Sequence, residues 1–319
     1  MMSAPVPATP VATPVATPFV AVLGPTAAGK SALGLELAQR LDGEIVACDS
    51  LQVYLGMDIG TGKPTRDERR LRPHHLLDLV RPDEPFHAAR WAALAGTAIT
   101  RIAARGRLPI VVGGTGLYYR ALTVGLFDAP PPDETIRQRH RDEAARLGTE
   151  ALHQRLHAID AATASTISPR DLVRISRALE VYEQTGVTVT ELKARQQRPS
   201  QWRPYAVVLE PPLPELRGRI ERRVEGMMSA GFLDEVRALR AAGFGPSTRS
   251  MQALGYKQLG EHLDGGATLE AAVSATVAAT VAYARRQRTW FRKEIAAARV
   301  ESEPSIGDLV SAVGELRPA

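Results

Sequence analysis

Residues 24 to 31 read Gly24-Pro-Thr-Ala-Ala-Gly-Lys-Ser31, directly after the apolar run Phe19-Val20-Ala21-Val22-Leu23 and before a helical pattern from Ala32 to Leu41. Buried strand, glycine turn and helix in that order aim several backbone N–H groups and a helix N-terminus at one point, where an anion can sit. Lys30 adds a point charge there, and Ser31 a hydroxyl suited to magnesium. The spacing therefore predicts a phosphate loop made of Gly24, Pro25, Thr26, Ala27, Ala28, Gly29, Lys30 and Ser31. It leaves open whose phosphates are held, and whether phosphate is transferred or simply leaves.

Further along, Glu44 to Ser50 reads as a second buried strand carrying Asp49 and Ser50 at its C-terminal end, the end where open α/β sheets bind ligands. The glycine-broken segment Met57-Asp-Ile-Gly-Thr-Gly-Lys-Pro64 reads as a loop over the same crevice. A helix from His87 to Arg105 leads to a third strand, Pro109 to Val112, and a second glycine turn, Gly113-Gly-Thr-Gly-Leu-Tyr118. Strands separated by helices predict an α/β fold, a P-loop parallel sheet flanked by helices.

At Asp128-Ala-Pro-Pro-Pro132 the alternation stops, and 133 to 195 is helical without a strand. We expect an inserted all-helical subdomain over 128–199 inside a core of 19–127 and 200–319, after a disordered tail of 1–18. Within it, Asp171 to Thr185 places Leu172, Ile175, Leu179 and Tyr182 on one face and Arg170, Arg174 and Arg177 opposite. Tyr205 to Leu209 returns as a strand of the first sheet. A helix from Pro214 to Ser229 follows, whose apolar stripe carries Arg223 at its edge; an arginine there needs an anionic partner. The alanine-rich stretch 268–295 is a long helix with Arg285, Arg288 and Arg292 on one sector and Tyr283, Trp290 and Phe291 on another. The last twenty residues carry no clear pattern.

Composition narrows the class. No apolar run approaches the ~20 residues a membrane span needs, and the tail lacks the basic start and apolar core of a signal peptide. The single cysteine, Cys48, excludes an internal disulfide framework and fits a reducing cytoplasm. Adjacent His74 and His75 do not share a face and make no zinc site, and Trp91 and Trp202 read as packing residues. Net charge is only +5, but arginines concentrate in 217–223 and 285–293, the footprint of a nucleic-acid partner.

Asp49 decides the reaction. In an NTPase it would hold magnesium; followed by Ser50-Leu-Gln52, which suits a nucleobase edge, it suggests a general base beside an adenine amine. Here the chain resembles the tRNA dimethylallyltransferases, or tRNA isopentenyltransferases, of bacterial type. The blocks that carry the resemblance are the phosphate loop, Asp49-Ser-Leu-Gln-Val-Tyr54, Met57 to Pro64, Gly113 to Tyr118, Arg174-Ile-Ser-Arg-Ala-Leu-Glu180, Arg219-Ile-Glu-Arg-Arg223 and Arg285-Arg-Gln-Arg-Thr-Trp-Phe-Arg292.

The resemblance implies transfer of a dimethylallyl group from dimethylallyl diphosphate to N6 of adenosine 37, in the anticodon stem-loop of tRNAs reading codons that begin with U, by a cytoplasmic enzyme that is a monomer. It implies that the phosphate loop binds the diphosphate with Mg2+ at Ser31, and that Thr26 and Arg223 stabilise the departing pyrophosphate. Asp49 would be the base. Asp49, Ser50, Leu51, Gln52, Thr115, Arg137, Arg174 and Arg177 would contact tRNA, and Arg285 and Arg288 sit on a helix that could line its channel. The alternatives are a small-molecule kinase using the same loop, an adenylate isopentenyltransferase, and a nucleic-acid-binding NTPase; the insertion and the basic helices favour a polynucleotide acceptor.

Overall fold

The computed structural model describes residues 16–194 and Arg195, 201–294, 296–301 and 305–314. The chain divides into two compact units, Met1–Val124 with Ser200–Ala319, and Gly125–Pro199.

The first unit is built on six parallel strands, β1 (Thr17–Leu23), β2 (Gly43–Cys48), β3 (His74–His75), β4 (Leu108–Gly113), β5 (Trp202–Leu209) and β6 (Ala298–Val300), in the order β3-β2-β4-β1-β5-β6. Around the sheet run α1 (Lys30–Arg40), α2 (Arg66–Leu71), α3 (Ala88–Ala104) and α4 (Gly116–Thr123). β1 sits centrally between β4 and β5, in register Leu23 with Gly113 and with Val208, so both glycine turns leave the same sheet edge side by side. All five residues of Phe19 to Leu23 are fully buried, which is why the run carries no polar alternation.

One face of the sheet packs on α3, where Trp91 is fully buried, stacks on Tyr118 at 5.3 Å and donates its indole N–H to the Ala47 carbonyl. Trp202 meets Phe19 edge-on in the same cluster, so both tryptophans are packing residues as expected. Cys48 is buried in β2.

Several boundaries move. β1 begins at Thr17, inside the expected tail, because Thr17 and Pro18 pair with Trp202 and Arg203; residues 1–15 of that tail lie outside the described residues. β2 stops at Cys48, which frees Asp49 and Ser50 to turn away from the ladder. Two edge strands escaped the sequence reading. β3 is only His74–His75, and His75 is tied to the buried Glu44 at 2.7 Å, which Arg105 and Arg107 also hold. β6 follows the expected long helix at the edge of the last twenty residues, which lacked a pattern, and α14 (Ile306–Gly314) lies within them; Leu309 and Val313 pack with Leu33 and Leu37 of α1.

The second unit is helical, α5 (Glu134–Leu147), α6 (Thr149–Ile159), α7 (Ala161–Ala164), α8 (Leu172–Thr185) and α9 (Val189–Arg195), around Leu152, Leu156, Ile175 and Leu179. Ile175 and Leu179 pack as the α8 pattern predicts. Its last elements give way to β5 and then α10 (Leu213–Ser229), α11 (Phe232–Ala241), α12 (Tyr256–Leu263) and α13 (Leu269–Phe291), which belong to the first unit.

Candidate active site

The phosphate loop starts where β1 ends and closes on α1, with Gly29 capping the helix at φ 92. Lys30 folds back and donates to the Pro25 carbonyl at 2.6 Å. Burial, then the like charge of Arg223, pulls its ammonium down to about 8, against the opposing pull of Asp49. Ala27 is held at φ 61, a left-handed conformation that costs a non-glycine residue about 1 kcal/mol or more, strain concentrated at the loop itself.

Asp49 sits just past β2, and its carboxylate Oδ1 accepts the N–H groups of Leu51 at 2.8 Å and Gln52 at 3.3 Å. That local turn fixes one oxygen. The next peptide is held from the second glycine turn, where the Thr115 hydroxyl accepts the Ser50 N–H at 3.2 Å. Gln52 donates its side-chain amide to the carbonyls of Thr61 and Gly62, so the 57–64 loop is fastened beside Asp49. Arg223 reaches the same place from α10; burial lowers its pKa, and the Asp49 carboxylate opposes that.

One cavity is lined by Thr26, Lys30, Asp49, Gln52, Arg223 and Tyr283. Ala27, Ser31 and Leu51 also line it, as do Thr61 and Gly62 of the expected crevice loop. Four residues of the phosphate loop, Thr26, Ala27, Lys30 and Ser31, therefore share one space with Asp49, whereas Gly24, Pro25, Ala28 and Gly29 do not line it. Arg137 and Arg177 lie in the helical unit, where both hold the fully buried Glu180, and Arg174 beside them is exposed. Arg285 is exposed on α13, whereas Arg288 donates to the Pro211 carbonyl, a fastening between α13 and the residues just before α10.

Two cavity residues escaped the sequence reading as functional groups. Gln287, nearly buried, accepts the Thr26 N–H at 2.9 Å and donates to the Gly114 carbonyl at 2.8 Å, joining the two glycine turns. Tyr283, placed by the sequence only on the sector away from the arginines, lines the cavity, and burial and then Asp49 push its phenol up to about 12. The signal was present: Thr276, Thr280, Tyr283 and Gln287 recur at helical spacing in an alanine-rich helix, and all four line the cavity.

The cavity thus gathers an anion cradle, a carboxylate and a half-buried arginine. A family model described as IPP transferase matches residues 52–294, and one described as Isopentenyl transferase matches 18–77. The chain belongs to the IPP transferase family. It is 49% identical over 300 residues to a "tRNA dimethylallyltransferase" of Anaeromyxobacter sp. (strain K), covering 94% of this chain and 98% of that protein. It is 46% identical to "tRNA dimethylallyltransferase 1" of Pelobacter propionicus, over 86% of this chain and 89% of that one. Among solved structures, the tRNA isopentenylpyrophosphate transferase of Bacillus halodurans superposes with a TM-score of 0.67 at 36% identity, over 94% of this chain and 96% of that one. A eukaryotic dimethylallyltransferase acting on tRNA gives a TM-score of 0.71 at 28% identity, over 86% and 70%. Membership of the IPP transferase family agrees with the expected prenyltransferase class and does not favour a kinase. Among the described residues no helix is long and apolar enough to cross a membrane.

Proposed function

We propose that this enzyme transfers the dimethylallyl group of dimethylallyl diphosphate to N6 of adenosine 37 in tRNAs that read codons beginning with U, releasing pyrophosphate. The observation that carries the reading is the shared cavity, in which the phosphate loop, Asp49 and Arg223 face one space. The enzyme is taken to work as a monomer in the cytoplasm, where tRNA resides.

In this reading the loop amides from Gly24 to Ser31 and the Lys30 ammonium bind the diphosphate, and Thr26 and Arg223 take up charge on the leaving oxygen. The adenine amine attacks C1 of the dimethylallyl group; the C1–O bond breaks with its electron pair going to pyrophosphate, and the N6 proton passes to Asp49. An exocyclic amine is a poor nucleophile because its lone pair is delocalised, so a positioned base contributes about 10²–10⁴ in rate. The preformed cradle stabilises the departing charge without reorganising.

Divalent cation chemistry fits the donors present. Ser31 is exposed at the first turn of α1, and no cluster of three His, Cys, Asp or Glu side chains exists among the described residues. That suits Mg2+, which keeps its waters and takes substrate phosphate oxygens instead of a protein cage, and which supplies charge neutralisation on the diphosphate when bound.

Ser50, Leu51 and Gln52 hold the flipped adenosine, with the Gln52 amide N–H groups already tied to the 57–64 loop, which leaves its oxygen as the group to accept from the base edge. Thr115 supports that segment through Ser50. Arg174 meets the anticodon stem-loop directly, Arg137 and Arg177 present their outer edges from the Glu180 anchor, and Arg285 and Arg288 serve the α13 side. The test is to incubate the enzyme with labelled dimethylallyl diphosphate and unmodified tRNA, digest, and look for N6-modified adenosine. Label recovered only as the free alcohol, or transferred to AMP instead of tRNA, would sink it.

A further inference from the structure

Glu235 on α11 has no part in the proposed reaction, yet its carboxylate is fully engaged by the loop of which Gly60, Thr61 and Gly62 line the cavity. Oε2 accepts the backbone N–H groups of Asp58 at 2.8 Å and Ile59 at 2.7 Å; Oε1 accepts that of Gly60 at 3.1 Å and the Tyr256 hydroxyl at 2.6 Å. Three consecutive N–H groups on one carboxylate are a strong, charge-assisted clamp. The other end of the same loop is held by Lys63, whose buried ammonium meets the Tyr54 carbonyl at 2.5 Å, Asp58 at 2.6 Å and Asp78 at 2.5 Å.

Between the two clamps lie the residues that face the chemistry. The Thr61 and Gly62 carbonyls hold the Gln52 amide. Gly62 is at φ 60, and a Cβ placed on it would stand 2.0 Å from Nη2 of Arg223, so the guanidinium lies against the bare glycine backbone. Gln52 is also held by the Asp49 turn at its own backbone, so what depends most on the loop is the seat of the arginine.

We infer that Glu235 is a positioning residue for prenyl transfer, clamping the 58–60 backbone so that Gly62 seats Arg223 against the leaving diphosphate. The inference rests on the role proposed above for Arg223. Misplacing a catalytic group by about 1 Å costs as much as 10²-fold in rate.

The experiment is a double-mutant cycle on single-turnover prenyl transfer to tRNA, with Glu235→Gln, Arg223→Ala and the double variant, each checked by thermal melting. A glutamine offers one oxygen and one NH2 group, so at least one of the three backbone N–H groups loses its acceptor. Glu235→Gln is expected to lower the rate about 10-fold with the tRNA KM within about twofold, and Arg223→Ala to lower it about 100-fold. Because Glu235 acts through Arg223, the double variant matches Arg223→Ala. Tyr256→Phe, which removes a donor from Glu235 while leaving the loop N–H groups clamped, is expected to lower the melting temperature and keep the rate. If the two losses multiply, or Tyr256→Phe slows transfer as much as Glu235→Gln at equal loss of melting temperature, Glu235 is merely structural and the inference falls. A wild-type rate for folded Glu235→Gln overturns it equally. If Arg223→Ala alone transfers normally, the failure is that of the leaving-group reading, and the inference goes with it.

Discussion

Replacing Glu180 by Gln should weaken the helical unit and tRNA binding while leaving the diphosphate site alone. Glu180 is fully buried and accepts the Asp133 N–H at 2.6 Å, Arg137 through Nε and Nη2 at 3.1 Å each, and Arg177 at 2.6 Å. A glutamine keeps one acceptor and turns an NH2 group toward a guanidinium. Breaking a buried ion pair from one side costs about 3–5 kcal/mol; the arginines keep 32% and 28% of their side-chain surface in water, which places this case near the low end, at about 3 kcal/mol. For a unit of this size that is a fall of more than about 10 °C in its melting transition. Burial pushes the Glu180 carboxyl up, but hydrogen bonds from Arg177, the Asp133 N–H and Arg137 outweigh it and hold the pKa below the ordinary 4.5. A depressed carboxylate pKa stabilises the fold above the unfolded value and loses that contribution as pH falls through the folded one. The gap between wild type and Glu180→Gln should therefore be full at pH 7 and narrow below about pH 4.5. The assay pairs melting at several pH values with filter binding of tRNA and calorimetry of inorganic pyrophosphate. Equal melting at pH 7, or pyrophosphate affinity falling with tRNA affinity, would refute the reasoning.

Three other substitutions address the cavity. Asp49→Asn keeps an Oδ1 acceptor for the Leu51 and Gln52 N–H groups but cannot take a proton, so single-turnover transfer should fall about 10²–10⁴-fold with tRNA affinity nearly unchanged; a wild-type rate would remove Asp49 as the base. Gln287→Leu strands the Thr26 N–H and the Gly114 carbonyl, at about 1–3 kcal/mol for each unpaired group, and calorimetry should show pyrophosphate binding at least about tenfold weaker. Tyr283→Ala opens the cavity wall beside Asp49, and release of pyrophosphate without tRNA modification should rise, measured as the ratio of free alcohol to prenylated adenosine.

The central strands and both glycine turns were legible because their chemistry is local: a fully apolar run before a glycine turn has few other readings. β3 and β6 were not, since two and three residues at a sheet edge leave no period to detect and owe their strand state to pairing with β2 and β5. Asp49, Lys30 and Arg223 were legible by type and position, and the cavity brings them together. Glu235 was not, because nothing in Phe232 to Ala241 separates a carboxylate that clamps a loop 175 residues away in sequence from one that faces solvent. Arg137 and Arg177 mark the opposite case. Their charge was legible, but the buried Glu180 that anchors them reads in the sequence as one more polar residue on a helix.

The α13 stripe explains how a phosphate loop can serve prenyl transfer. Thr276, Thr280, Tyr283 and Gln287 wall the cavity into which the cradle faces, and Gln287 fixes that wall to Thr26 and Gly114 on both glycine turns. On the proposed reaction the competitor of the adenine amine is water, which attacks the same carbon and yields the same pyrophosphate. A cradle that stabilises the leaving group without a cover would accelerate both reactions alike, since its electrostatics act on the bond being broken and not on the nucleophile. Selectivity for the amine therefore rests on the side chains that exclude water around Asp49, and these come from the C-terminal helices, whose first member also delivers Arg223. The loop supplies the driving force for departure, and the helices after β5 decide what takes the vacated place.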